Sequence, residues 1–125
     1  MKVLALVMAC VCCNVTAQLL LKIGASSSWG KVLHSNPTEL AGWWGVLSAW
    51  PTLVGIGLWV ASTLLWLYIL VGSELSYAYA LYGLNYVATP LLANWYFKES
   101  LNGLQYVGIA LITLGVGLII GGRVR

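Results

Sequence analysis

Two apolar stretches carry hydrogen-bonding side chains. The first is "NVTAQLLLK", residues 14–22. On a helix, Asn14 and Gln18 lie four apart on one face, with Cys10 one turn earlier. The second is "SYAYALYGLNYVATPLLANWYF", residues 76–97. At 100° per residue its Tyr79, Tyr82, Asn85, Tyr86 and Thr89 fall within an arc of about 120°. Amides, phenols and a hydroxyl on such stripes exchange hydrogen bonds and stack on flat apolar faces. That is recognition chemistry for an amphipathic ligand. The same groups can instead bind helices to one another, and the residues alone leave both readings open.

Titratable groups are few. The chain has three acidic residues and one histidine. Glu74 is the best candidate for protonation near a membrane, although its turn position equally permits ordinary solvation. Glu99 follows Lys98 and is expected to pair with it. Glu39 reads as a helix cap, and His34 sits in a long connection without a partner. No phosphate-cradling Gly-rich motif, metal-ligand cluster or nucleophile constellation is present. Soluble-enzyme chemistry has no support, and no cofactor, metal or nucleic acid is expected. Any transport is not powered by ATP through this chain alone.

The elements that must position these residues follow from composition. The chain has 125 residues, 61% hydrophobic and 7% charged, against about 25% charged in soluble domains. It reads as an all-α integral membrane protein. A bilayer core needs about 20 apolar residues per helical span. Four segments qualify: about 3–21, 52–71, 75–97 and 104–120. Trp29, Trp43, Trp44, Trp50 and Trp95 lie near their ends, at headgroup level. The N-terminus carries weak signal-peptide and lipoprotein features, but its apolar run continues to Leu21, which favours a retained span. Cys10, Cys12 and Cys13 read as small packing residues.

The second and third spans are joined by little more than Gly72–Glu74, and the third and fourth by "KESLNG". The first and second are separated by residues 23–51. There Asn36 reads as an N-cap, Pro37 as the first helical residue and Glu39 as the capping-box partner. An interfacial helix fits this insertion, and an ordered loop is the alternative. Lys2, Arg123 and Arg125 fall on one side, Lys22, Lys31 and Lys98 on the other, so charge gives almost no orientation bias. Gly108, Gly115, Gly117 and Gly121 on the last span, with Gly117 and Gly121 as a GxxxG pair, read as an association face within or between subunits. Pro90 is expected to free a carbonyl near Tyr86 and kink the third span.

Three stretches resemble the four-helix branch of the drug/metabolite transporter superfamily. "AQLLLK" (residues 17–22) is similar to the end of the first helix in the aminoarabinose-phosphoundecaprenol flippase subunits. "AYALYGLNYV" (78–87) resembles the third helix of both these subunits and the small multidrug exporters. "FKESLNGLQYVGIALITLGVGLII" (97–120) matches the superfamily's Glu-turn-helix ending, and its "GIALITLGV" fits the exporters' helix-packing pattern. The resemblance covers the four spans and is not expected to cover Ala25–Trp50. It implies a dimer, with itself or with a homologous chain. The exporters place a proton-binding glutamate in the first helix, where this chain has Asn14. An amide exchanges no proton, which disfavours that mechanism. It suits a hydroxyl-rich headgroup beside a phosphate held by lysine.

The resemblance thus implies an inner-membrane flippase for a polyprenyl-phosphate-linked sugar or related lipid. Asn14, Gln18, Tyr79, Tyr82, Asn85 and Tyr86 would contact the headgroup, and Lys22 and Lys98 its phosphate. The alternatives are a proton-coupled exporter using Glu74 and a non-transporting structural subunit.

Overall fold

Helix α1, Lys2–Ala25, is the axis of the molecule. The computed structural model describes residues 2–124; Met1 and Arg125 lie outside the described residues, and with Arg125 one of the terminal charges counted above. At 1.5 Å per residue α1 is about 36 Å long, enough to cross the hydrocarbon core. Its Val7, Cys10, Val11 and Val15 meet Ile69, Ala78, Leu81 and Val116 from three other helices to form the core.

Helix α4, Trp50–Gly72, runs antiparallel to α1 and packs closely along it. Small residues at three levels let the backbones approach. Cys10 Sγ lies 3.3 Å from Ser62 Oγ, whose hydroxyl also donates to the Cys10 carbonyl at 3.2 Å. A Cβ on Gly55 would stand 3.0 Å from the Ala17 carbonyl oxygen and 3.2 Å from the Leu21 nitrogen. One on Gly24 would meet Thr52. Cys10, Ala17 and Gly24 are spaced by seven, so one side of α1 presents small atoms throughout.

Between these helices lie α2, Ser28–Ser35, and α3, Leu40–Ser48. The insertion is therefore a helical hairpin. Asn36 is the C-cap of α2, with φ −134° and ψ 84°, and Glu39 is the N-cap residue of α3. This corrects the expected capping box from Asn36: Pro37 biases the residue before it away from the helical region, so Asn36 closes one helix instead of opening another. A Cβ on Gly45 would run into the Trp29 ring, and one on Gly42 would lie 3.3 Å from the Leu33 backbone. The hairpin is thus closed by an indole seated on a glycine.

Among the described residues, three helices are long and apolar enough to cross a membrane: α1, α4 and the last, α7, Gly103–Val124. The expected span 75–97 is two helices, α5, Leu75–Tyr82, and α6, Asn85–Phe97. Between them the chain stays right-handed but its hydrogen bonds shorten in register. Leu84 N–H donates to Leu81 at 3.1 Å, Tyr86 to Gly83 at 3.0 Å and Val87 to Leu84 at 3.1 Å, all i to i−3. Val116 of α7 packs 3.4 Å from where a Gly83 Cβ would be. The break between the two helices therefore lies at Gly83–Leu84, and Pro90 sits inside α6.

A true capping box starts α7. Asn102 Oδ1 accepts from Gln105 N–H at 2.9 Å, and Gln105 Oε1 accepts from Asn102 N–H at 2.8 Å. Gly108, Gly115, Gly117 and Gly121 have open space where a Cβ would point, so they pack against nothing within the described chain.

Candidate functional site

Four residues of α1, Cys10, Asn14, Gln18 and Lys22, form a ladder with rungs about 6 Å apart. Asn14 is 4% exposed and lies at the midpoint of α1; Ser62 lies at that of α4. Gln18 donates to Asn14 Oδ1 at 2.7 Å. The two amides therefore satisfy one another in part and still border two cavities.

The mid-height cavity holds about 190 Å³ and is lined by Asn14, Trp59, Ser62, Thr63, Trp66, Tyr79 and Tyr82. Its aromatic wall is a cluster. Trp66 lies 5.8 Å from Tyr79 and 4.8 Å from Tyr82 between ring centroids, with the two phenols 6.3 Å apart. Such rings offer flat apolar faces with hydroxyl tips. Sequence reasoning missed the α4 contribution. Its signal was present in "WVASTLLW": Trp59, Ser62, Thr63 and Trp66 fall at i, i+3, i+4 and i+7, one helical face.

The second cavity, about 250 Å³, lies one turn further along α1 and is lined by Gln18, Leu19, Lys22, Thr89, Ala93, Phe97 and Glu99. Thr89 Oγ1 is buried without a partner. Lys22 pairs with Glu99 at 2.7 Å and lies 5.6 Å from the Phe97 ring centroid. The expected Lys98–Glu99 pair is thus replaced. Lys98 takes the left-handed cap of α6, φ 53°, which carries the chain into the turn, and the Asn94 side chain donates to the Glu99 carbonyl. Both partners of Lys22–Glu99 are about half exposed, so the pair contributes only about 0–1 kcal/mol and opens readily.

The break at Gly83–Leu84 divides the expected tyrosine stripe. Tyr79 and Tyr82 on α5 face the mid-height cavity, and Thr89 on α6 faces the second. Asn85 is buried, its Oδ1 unpartnered, and lines neither cavity. Tyr86 is 63% exposed and Lys98 is exposed, and neither lines these cavities. Glu74 stands at the far end, its side chain 77% exposed, 3.3 Å from Arg123. Among the described residues no three His, Cys, Asp or Glu side chains gather to hold a metal ion. The geometry offers uncharged hydrogen bonding and stacking at mid-height, and a cation with a carboxylate toward one end.

A Pectobacterium atrosepticum protein named a probable 4-amino-4-deoxy-L-arabinose-phosphoundecaprenol flippase subunit ArnE is 34% identical over 116 residues, 93% of this chain and 96% of that protein. The chain belongs to this flippase-subunit family. A Pseudomonas fluorescens protein named a probable ArnE subunit of the same flippase is 31% identical over 121 residues, 95% of this chain and 96% of its own. One from Proteus mirabilis, named a probable ArnF subunit, is 37% identical over 107 residues, 82% and 80%. The two ArnE matches are too long to omit Ala25–Trp50, so the family likeness extends through the α2–α3 hairpin, contrary to expectation. No family model and no solved structure matches the chain.

Proposed function

We propose that this chain is a subunit of an inner-membrane flippase that moves a polyprenyl-phosphate-linked sugar between leaflets. The observation that carries this reading is the pair of adjoining cavities joined by the Asn14–Gln18 hydrogen bond, in a chain of the flippase-subunit family. The sugar passes Asn14, Gln18, Tyr79 and Tyr82, with Asn85 and Tyr86 beside the path. Its phosphate meets Lys22, with Lys98 at the same interface, and its polyprenyl tail stays in lipid. Helices α5 and α6 together cross as a fourth span: residues 75–97 extend about 34 Å at helical rise. The α2–α3 hairpin lies at the interface, where its exposed Leu40 and Trp44 suit the headgroup layer.

The functional unit is a dimer, with a second copy or a homologous subunit; the relatives' ArnE and ArnF names favour the latter. The glycines of α7 open on two opposite sides, Gly108 with Gly115 and Gly117 with Gly121, and the GxxxG pair Gly117–Gly121 is the contact. Glu74 enters this reading only through its ion pair with Arg123.

The test is headgroup translocation in proteoliposomes, with the partner subunit co-reconstituted. Asn14→Ala and Tyr82→Ala lose most of the flux while assembling as the parent does. Full flux in both variants refutes the path.

A further inference from the structure

The two ends of the molecule carry matching groups. At one, Lys22 pairs with Glu99 beside Phe97, over the cavity that Gln18 and Thr89 also line. At the other, Arg123 pairs with Glu74 at 3.3 Å, and its guanidinium lies 4.2 Å from the Tyr77 ring centroid. That group borders a cavity of about 390 Å³ between Val3, Leu4, Gly72, Ser73, Tyr77 and Ile120. Each end thus has a cation, a carboxylate, an aromatic ring and a cavity.

The acids need an explanation. The chain has only three acidic residues, and two stand in these groups. Acidic side chains contribute little to membrane orientation, so anchoring does not account for them. A site for a bare phosphate needs cations alone, and a carboxylate beside the cation repels that anion. A headgroup with one phosphate and one ammonium uses both: the anion takes the Lys or Arg, the ammonium takes the Glu. Both ion pairs are solvent-accessible and therefore weak, so a ligand can separate them.

We propose that the two ends are equivalent stations for a zwitterionic headgroup, in which Lys22 or Arg123 holds a phosphate and Glu99 or Glu74 holds an ammonium. The inference rests on the flippase reading and deepens it: for an amino sugar such as the one the relatives' names carry, Glu99 and Glu74 are the residues that select the amine. Headgroup and stations each carry no net charge. The membrane potential therefore does no work on the transfer.

The test uses the full chain with its partner subunit in nanodiscs of phosphatidylglycerol, with native mass spectrometry reading binding of a synthetic polyprenyl-phosphate-linked amino sugar and its N-acetylated form. The parent binds the amine form at least tenfold more tightly. Glu99→Gln with Glu74→Gln removes that preference and keeps the weaker binding of the N-acetylated form. Lys22→Gln with Arg123→Gln weakens both. Equal binding of the two forms by the parent overturns the zwitterion stations and leaves the flippase reading standing. Where neither form binds, the flippase reading falls, and added phosphatidylethanolamine decides the stations. Glutamate-dependent binding of that lipid keeps them and assigns them to an ordinary phospholipid; no such binding removes them.

Discussion

A methyl group placed at Gly55 or Gly57 separates close packing from mere helix composition. Both glycines lie in α4, two residues apart and on different faces. At Gly55 the new carbon stands 3.0 Å from the Ala17 carbonyl oxygen, 3.1 Å from Leu21 Cγ and 3.2 Å from the Leu21 nitrogen. Two of these atoms are backbone and cannot rotate away, so α1 and α4 must separate by a few tenths of an ångström. Overpacking of this kind costs about 1–3 kcal/mol. At Gly57 nothing lies within 4 Å, and replacing a mid-helix glycine by alanine gains about 0.5–1 kcal/mol of helix propensity. Gly55→Ala gains the same propensity, so the two variants should differ by the overpacking alone, about 1–3 kcal/mol, with Gly57→Ala the more stable. Reversible unfolding in mixed detergent micelles measures this directly. Equal stability of Gly55→Ala and Gly57→Ala would show that α1 and α4 do not approach closely here, and the small-residue seam would have to be abandoned.

Three further outcomes follow from other parts of the molecule. Asn102→Ala removes the Oδ1 that accepts from Gln105 N–H at the start of α7 and lowers stability by about 0.5–2 kcal/mol in the same unfolding assay, while Gln105→Ala removes the other half of the box, the acceptor of the Asn102 N–H, and gives a smaller loss. Trp66→Leu removes the ring that stacks on Tyr79 and Tyr82 and lowers sugar translocation at least tenfold, whereas Trp95→Leu, at an exposed position away from both cavities, leaves the flux unchanged. Gly117→Leu with Gly121→Leu leaves the subunit folded, since nothing in the described chain opposes those positions. It abolishes dimer cross-linking in membranes, and persistence of the cross-link places the contact elsewhere.

The spans were legible because hydrocarbon demands long apolar helices, and α1, α4 and α7 fall on three of the four expected segments. The amide pair was legible for the same reason: Asn14 and Gln18 are conspicuous in such a setting, and their four-residue spacing already puts them in contact. The division of residues 75–97 was not, because Pro90 is the louder signal and a single glycine at 83 does not announce the i to i−3 hydrogen bonds that follow it. The hairpin was half legible. Its tryptophans and small residues were visible, but which glycine each ring covers depends on a turn that Pro37 sets. The partner of Glu99 was misread because adjacency in sequence suggested Lys98. Lys22, 77 residues away, is brought close by the antiparallel return of the chain. The aromatic face of α4 was readable at 3.6-residue spacing and was hidden by the tyrosine-rich segment that follows it.

The hairpin of α2 and α3 has a consequence for topology. It stands at one end only, so it marks which way a subunit was inserted. Two chains threaded in the same sense would display both hairpins to one compartment, and two threaded in opposite senses would display one to each. A protease cutting near His34, supplied to sealed right-side-out vesicles, would then cleave all, none or half of the chains. Direction of insertion, which the near-balanced lysines and arginines leave open, becomes a fraction on a gel.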